Sequence, residues 1–323
     1  MLSEFEIIQR YFVRPSPRTV LGAGDDAALI EASTGMELAV STDMLVSGQH
    51  FFVDAEPRLL GHKSLAVNLS DMAAMGARPR WATLSLALPE SVLCDGEKWL
   101  QAFAEGFFEL AHAHQVDLIG GDTTKGPLNI CMTIIGEVAK GKALRRSGAR
   151  RGDDIWISGR LGDAALALAN QQGHIVLEPA EIEASLPALL APQPRVELGQ
   201  RLIGLARSAI DVSDGLLADL EHILKRSKVG AIIRLQEINC PASIKKRLPQ
   251  PLALKCLLAG GDDYELCFTA PTAKRAKIEW LSREQRIALT RIGTITEGED
   301  LIVIDAAGRS IALEAKGYDH FRA

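Results

Sequence analysis

The sequence predicts a two-domain protein of the α+β class, a mixed α/β pattern with strands and helices in both halves. Three observations carry this. The chain has 323 residues, more than one ordinary core accommodates, so two domains are expected. Apolar residues make up 47% and charged residues 24%, the balance of a globular chain rather than a fibrous or membrane one. Period-two runs and helical periods alternate from end to end without a strict strand–helix–strand repeat, which separates the pattern from a plain doubly wound sheet.

Taken in order, Glu37–Thr42 (ELAVST) is a short apolar strand ending at Asp43. From Gly61 to Met75 the spacing turns helical, with Leu65, Leu69, Met72 and Met75 on one stripe and Gly76 and Pro79 closing it. Ser64, Asn68 and Asp71 lie off that stripe on a common face, so Asp71 can project into a site while the opposite side packs. Trp81–Leu88 alternates as a strand, Glu97–His114 is helical, and Val116–Ile119 is a buried strand feeding Gly120-Gly121-Asp122. Leu128–Val138 is a further strand. The basic, glycine-containing segment Lys140–Gly152 then breaks the pattern and sets the expected boundary between domains 1–139 and 140–323. Beyond it Asp154–Ser158 is a strand, Gly159–Gly162 a turn, and a helix runs through Ala169. A proline-punctuated connection spans Leu186–Pro194. Helices follow at Val196–Arg207 and at Asp214–Arg226, where Asp214 is a natural N-cap and Leu216, Leu217, Leu220, Ile223 and Leu224 face inward. Ala209–Val212, Tyr264–Thr269 and Leu301–Ile304 are strands.

Composition excludes several function classes. The formal charge is −5, and no basic stripe offsets it, so nucleic acid is not the expected partner. Cys94, Cys131, Cys240, Cys256 and Cys267 are scattered without C-x-x-C spacing, which fits a reducing compartment and gives no zinc or disulfide framework. The opening MLSEFEIIQRYFV carries early acids and no long apolar core, unlike a signal peptide. No run approaches the roughly 20 apolar residues of a membrane span. The expected setting is the cytoplasm.

The chemistry lies in six glycine- and aspartate-rich segments: Gly22–Asp26 (GAGDD), Ser41–Asp43 (STD), Asn68–Asp71 (NLSD), Gly120–Asp122 (GGD), Asp211–Gly215 (DVSDG) and Gly260–Asp263 (GGDD). Most follow apolar runs, so their carboxylates are expected at strand ends or helix starts. Gathered carboxylates repel one another unless cations hold them, and Mg²⁺ takes oxygen ligands and arrives with phosphates. The neighbouring glycines allow backbone to approach phosphate oxygens closely. Walker A, protein-kinase, G-x-S-x-G and H-E-x-x-H signatures are all missing, and Gly120–Gly126 (GGDTTKG) has the wrong order for a P-loop. One Gly-Asp pair alone is more often a β-turn than a ligand. Six of them shift the balance to a Mg-nucleotide site.

The same segments carry a resemblance that spans the chain. GAGDDAAL at 22–29, STDMLVSGQHF at 41–51, KSLAVNLSDMAAMGA at 63–77, LIGGDTT at 118–124, DVSDGL at 211–216, GGDDYELCF at 260–268 and KGYDHF at 316–321 resemble the thiamine-monophosphate kinase family. That family sits in the superfamily that includes aminoimidazole ribonucleotide synthetase. The resemblance implies a first domain for ATP, Mg²⁺ and homodimer pairing through its sheet, and a second α/β domain covering nucleotide and acceptor. It implies ATP-dependent phosphorylation of thiamine monophosphate, the last step of thiamine diphosphate biosynthesis. By motif matching, Asp26, Ser41, Thr42, Asp43, Asp71, Asp122, Asp211 and Asp214 would line a cluster of several Mg²⁺ ions, with Asp43, Asp71 and Asp122 closest to catalysis. Gly121, Asp122, Arg146 and Ser213 would contact ATP, and His50, Asp262 and Tyr318 the acceptor. Asp262 stands where many relatives have glutamate, which shortens that carboxylate by one methylene. Ala23 replaces a bulkier aliphatic residue.

Each residue also has a plainer reading. Asp43, Asp71 and Asp122 could cap helices or close turns; His50 could be a packed histidine, Tyr318 an anchor for the tail, and Arg145–Arg151 a solvated linker. Another ATP-dependent synthetase of the superfamily and a non-catalytic Mg-nucleotide-binding protein are the alternative functions.

Overall fold

The computed structural model describes residues 3–94, 96–312 and 317. Contacts divide the chain into two compact units, Met1–Met72 with Ala77–Gly141, and Ala73–Gly76 with Lys142–Ala323.

The first unit opens with α1 (Glu4–Ile7), started by a capping box in which Ser3 and Glu6 satisfy each other's backbone N–H groups. It continues through β1 (Met36–Val46), α2 (Pro57–Ala74), β2 (Arg78–Leu88), α3 (Glu90–Cys94), α4 (Gly96–His114), β3 (Asp117–Lys125) and β4 (Asn129–Ala139). The strands form one sheet in the order β1-β4-β2-β3. Only β2 and β3 run parallel, because α3 and α4 return the chain between them. In β1 the side chains alternate. Ala39, Ser41, Asp43 and Leu45 face α2, while Leu38, Val40, Thr42 and Met44 lie exposed on the open face.

Glycine lets α2 and α4 approach closely. A Cβ on Gly61 would sit 2.1 Å from the Phe103 carbonyl oxygen, and one on Gly106 would sit 1.9 Å from that of Arg58. Phe103, Phe107, Leu65, Leu69 and Met72 fill the fully buried space around this crossing.

The second unit contains β5 (Asp154–Ser158), α5 (Asp163–Gln171), α6 (Pro179–Leu190), α7 (Val196–Leu202), β6 (Ser208–Asp211), α8 (Leu216–Ser227) and β7 (Gly230–Arg234). After these come α9 (Ala242–Lys245), α10 (Pro251–Leu258), β8 (Leu266–Ala270), α11 (Arg275–Gln285), β9 (Leu289–Thr296) and β10 (Leu301–Ile304). Its six strands run β10-β7-β9-β5-β8-β6, antiparallel apart from the β10/β7 pair. Leu216, Leu217, Leu220, Ile223 and Leu224 of α8 are all buried with Ile155, Ile157, Ile210 and Cys267 of the sheet, as the helical spacing predicts.

Several local expectations are corrected. β1 and β3 do not stop where their first apolar runs end; β1 continues through Asp43 to Val46 and β3 through Asp122 to Lys125, because backbone pairing with β4 and β2 runs on past the two aspartates. Leu186–Leu190 is helical rather than a connection, with Pro187 inside α6. The helix expected to reach Arg207 ends at Leu202, and Gly204 follows with φ +78°, a helix-ending conformation suited to glycine.

Candidate active site

In the first unit the sequence-named groups occupy both faces of one sheet. Asp71, on α2, accepts a hydrogen bond from Ser41 Oγ at 2.5 Å. Asp43 follows two residues along β1 on the same face. Thr42 faces the other way and shares a 2.9 Å hydrogen bond with Thr133 across the β1/β4 pair. Asp122 belongs to the transverse row Met44, Cys131, Ser85, Asp122 and is exposed on the open face. Beside it Gly121 holds φ +149°, and a Cβ there would lie 1.8 Å from the Leu84 carbonyl oxygen. Only glycine fits this pairing, so Gly121 has a structural reason independent of any ligand.

Asp26 lies in an exposed loop, where its N–H donates to Asp25 Oδ1 at 3.0 Å. His50 closes the turn after β1: the Val46 N–H donates to its Nδ1 at 3.0 Å, which leaves Nε2 as the nitrogen carrying the proton of a neutral ring.

In the second unit Asp211 is the buried last residue of β6, and the loop it opens folds around one carboxylate. Asp219 Oδ2 accepts from the backbone N–H groups of Ser213 at 3.0 Å, Asp214 at 3.0 Å and Gly215 at 3.1 Å. The N-cap role expected of Asp214 is thereby corrected. Gly215 occupies the cap position with φ +119° and no side-chain cap, and Asp219 supplies a carboxylate from the first turn of α8, where the helix dipole favours it. Burial above all, then the charges of Asp211 and Asp214, pushes Asp219 up to about 7. Sequence reasoning stopped at DVSDG and missed Asp219; an acid in the first turn of a helix, directly after an acidic glycine loop, is the signal that identifies it.

Arg146 is exposed, and its carbonyl accepts from Ser227 Oγ at 3.3 Å. His222 on α8 lies in the fields of both Arg146 and Asp214. Burial lowers its pKa most, Arg146 and Lys225 lower it further, and Asp214 opposes them. Arg146 and the Asp211–Gly215 loop thus flank one stretch of α8. Asp262 precedes β8 and accepts from Tyr264 Oη at 2.9 Å. Tyr318 lies outside the described residues.

The donor set fits Mg²⁺. Ser41, Asp43 and Asp71 offer only oxygen, as do Asp211 and Asp214, and hard cations select oxygen. One turn before Asp71, the buried Asn68 Oδ1 has no hydrogen-bond partner, an unspent acceptor of the same kind. Behind burial, the charges of Asp211 and Asp214 also raise Asp219, so the loop sets three carboxylates within one another's fields. Among the described residues no three His, Cys, Asp or Glu groups are gathered closely enough to hold an ion by themselves, so phosphate oxygens or water would complete each coordination shell.

Comparison with known proteins follows the same division. Residues 24–138 match the N-terminal domain model of AIR synthase related proteins, and residues 150–306 match the C-terminal domain model. Thiamine-monophosphate kinase of Escherichia coli (strain K12) is 44% identical over 322 residues, covering 98% of both chains. A crystal structure of thiamine-monophosphate kinase from Stenotrophomonas maltophilia K279a superposes with a TM-score of 0.83 at 46% identity, over 94% of this chain and 95% of that one. AaThiL complexed with AMPPCP and TMP superposes with a TM-score of 0.77 at 30% identity, over 90% of this chain and 89% of the other.

Proposed function

This chain belongs to the AIR synthase related family, and we propose that within it the chain transfers the terminal phosphoryl group of ATP to thiamine monophosphate. The products are thiamine diphosphate and ADP. The observation that carries this reading is the full-length match to thiamine-monophosphate kinases, one relative of which is complexed with AMPPCP and TMP.

The chemistry asks little of a proton-transfer group. The acceptor is a phosphate monoester whose second pKa is about 6, so its attacking oxygen is already ionised at neutral pH. A bond forms from that oxygen to the γ-phosphorus of ATP while the bond to the β,γ-bridging oxygen breaks, and ADP leaves with the electron pair. The obstacle is one anion approaching another. The protein's task is therefore alignment and charge compensation.

Each named residue has a part in that task. Asp26, Ser41, Thr42, Asp43, Asp71, Asp122, Asp211 and Asp214 would hold Mg²⁺. Asp43 and Asp71, which share the α2 face of β1, and Asp122, three strands away on the open face, would approach the reacting phosphates from different sides. Bound Mg²⁺ supplies neutralisation of phosphate charge. Arg146 offers a planar guanidinium suited to two phosphate oxygens at once, Gly121 offers backbone with no side chain in the way, and Ser213 sits on the loop that Asp219 fixes. His50 presents an Nε2–H donor to the acceptor phosphate. The carboxylate of Asp262 complements the cationic, amino-bearing base portion of thiamine rather than its phosphate, and Tyr318 adds an aromatic face. Four described cysteines are free thiols, which supports a cytoplasmic setting, and no helix among the described residues is long and apolar enough to cross a membrane.

Purified protein incubated with ATP, Mg²⁺ and thiamine monophosphate is expected to form thiamine diphosphate, resolved by chromatography. A folded preparation that forms none overturns the reading. In the same assay Asp43→Asn is expected to cut turnover on the order of 100-fold, the scale of deleting a charge-stabilising group from a transition state. Near-normal turnover removes Asp43 from the site.

A further inference from the structure

The loop Gly260–Tyr264, between α10 and β8, is bolted to the loop that Asp219 organises. The Asp262 N–H donates to the Ser213 carbonyl at 2.9 Å, the Tyr264 N–H to the Val212 carbonyl at 2.8 Å, and the Val212 N–H to the Glu265 carbonyl at 2.8 Å. A Cβ on Gly261 would lie 2.3 Å from the Ser213 carbonyl oxygen, so the two backbones touch.

Within this loop two non-glycine residues adopt positive φ, Asp262 at +68° and Tyr264 at +49°. That region is sparsely populated by residues with a Cβ, and it persists where the surroundings hold it. Asp263, between them, is drawn inward, with both carboxylate oxygens on the Gly162 N–H at 2.9 and 3.1 Å. The alternation throws the flanking side chains together. Tyr264, buried apart from 8% of its surface, turns its hydroxyl back to Asp262 Oδ1 at 2.9 Å. A hydrogen bond to an ionised acceptor is stronger and more directional than a neutral one.

We propose that Tyr264 is a positioning residue whose hydroxyl orients the Asp262 carboxylate for the acceptor, so that acceptor affinity depends on it and nucleotide affinity does not. The short aspartate side chain reaches its working position because a buried phenol holds it there. This rests on the reading above, in which the chain phosphorylates thiamine monophosphate with Asp262 on the acceptor side.

The test is steady-state kinetics of the full chain as wild type, Tyr264→Phe, Asp262→Asn and the double variant, with Mg-ATP and thiamine monophosphate varied in turn. Tyr264→Phe is expected to raise KM for thiamine monophosphate about 10-fold, the scale of a hydrogen bond to a charged group. KM for ATP should stay within about two-fold. Asp262→Asn should raise the same KM, and adding Tyr264→Phe to it should change nothing further. An unchanged acceptor KM in Tyr264→Phe, an equal rise in both KM values, or multiplicative effects in the double variant overturns the proposal. KM does not depend on the folded fraction, so partial loss of stability leaves the result readable. Wild type that turns over thiamine monophosphate while Tyr264→Phe matches it defeats the role of Tyr264 alone; wild type that does not turn it over defeats the functional reading itself.

Discussion

At the scale of single residues, Asp219 decides how the Asp211–Gly215 loop is shaped, and its consequences extend to pH. One oxygen collects three backbone N–H groups in what would otherwise be an anion-binding nest. Replacement by alanine leaves those donors without their carboxylate, so Asp219→Ala is expected to raise the Mg²⁺ concentration needed for half-maximal turnover by about 10-fold, the scale of losing the supporting partner of a metal ligand. An unchanged Mg²⁺ requirement separates Asp219 from the metal loop. The folded protein holds Asp219 at about 7, above its ordinary value of 3.8, so the metal-free fold favours the neutral acid and takes up a proton on folding. Stability from this group is full below the ordinary value and is lost as pH rises through about 7. Metal-free wild type should therefore melt several degrees lower at pH 8 than at pH 5.5, a drop that Asp219→Asn reduces. Equal pH dependence in the two proteins assigns the slope to other groups.

At the scale of elements, the α2/α4 crossing depends on two glycines set opposite each other's partner helix. Alanine at either Gly61 or Gly106 places a methyl group against a carbonyl oxygen at about 2 Å, and backbone cannot yield as a side chain can. Gly61→Ala and Gly106→Ala are each expected to cost about 1–3 kcal/mol, the range of overpacking substitutions, read as a lowered denaturation midpoint. A midpoint at or above wild type shows that the helices can separate without loss. The elements themselves were largely legible in the sequence. Strong periodicity located α4 and α8 and the strands at 154–158 and 301–304 within a few residues. Where reading failed, identifiable physics prevailed. Asp43 within β1 and the Gly120-Gly121-Asp122 run within β3 hid the continuation of those strands, and Pro187 was tolerated inside α6. The five-residue β7 was too short to show a period, and Arg291 and Gly293 interrupt β9. The site was legible as residue types, because crowded oxygen donors and glycines are visible in a string. Its wiring was not, since Ser41 and Asp71, and likewise Ser213 and Asp262, are far apart in the chain and meet only in the fold.

At the scale of the whole molecule, the first unit exposes apolar surface that a lone chain has little reason to keep. Leu38, Val40 and Met44 are 44%, 62% and 54% exposed along the open face of β1, and β1 stands at the end of its sheet. Edge strands of isolated proteins are ordinarily blunted by charge, proline or bulges, yet the stretch from Leu38 to Met44 carries one charged residue, Asp43, on the face turned to α2. Strand alternation places Thr42 and its Thr133 partner in the same open row, giving a flat, sparsely charged surface. A second copy offers the same surface, and two-fold pairing is the commonest way such a patch closes on itself. Sedimentation of the wild type is therefore expected at twice the chain mass. The double variant Leu38→Glu, Val40→Glu sets like charges against each other across that contact and is expected to sediment as single chains, with its far-UV circular dichroism unchanged. A wild type that stays single, or a double variant that still pairs, moves the interface elsewhere. Asp122 lies on the same open face, so pairing through it would bring the second copy beside a residue assigned to the phosphates. The separated variant is then expected to lose turnover along with its partner, and full activity in single chains would show that each chain carries a complete site.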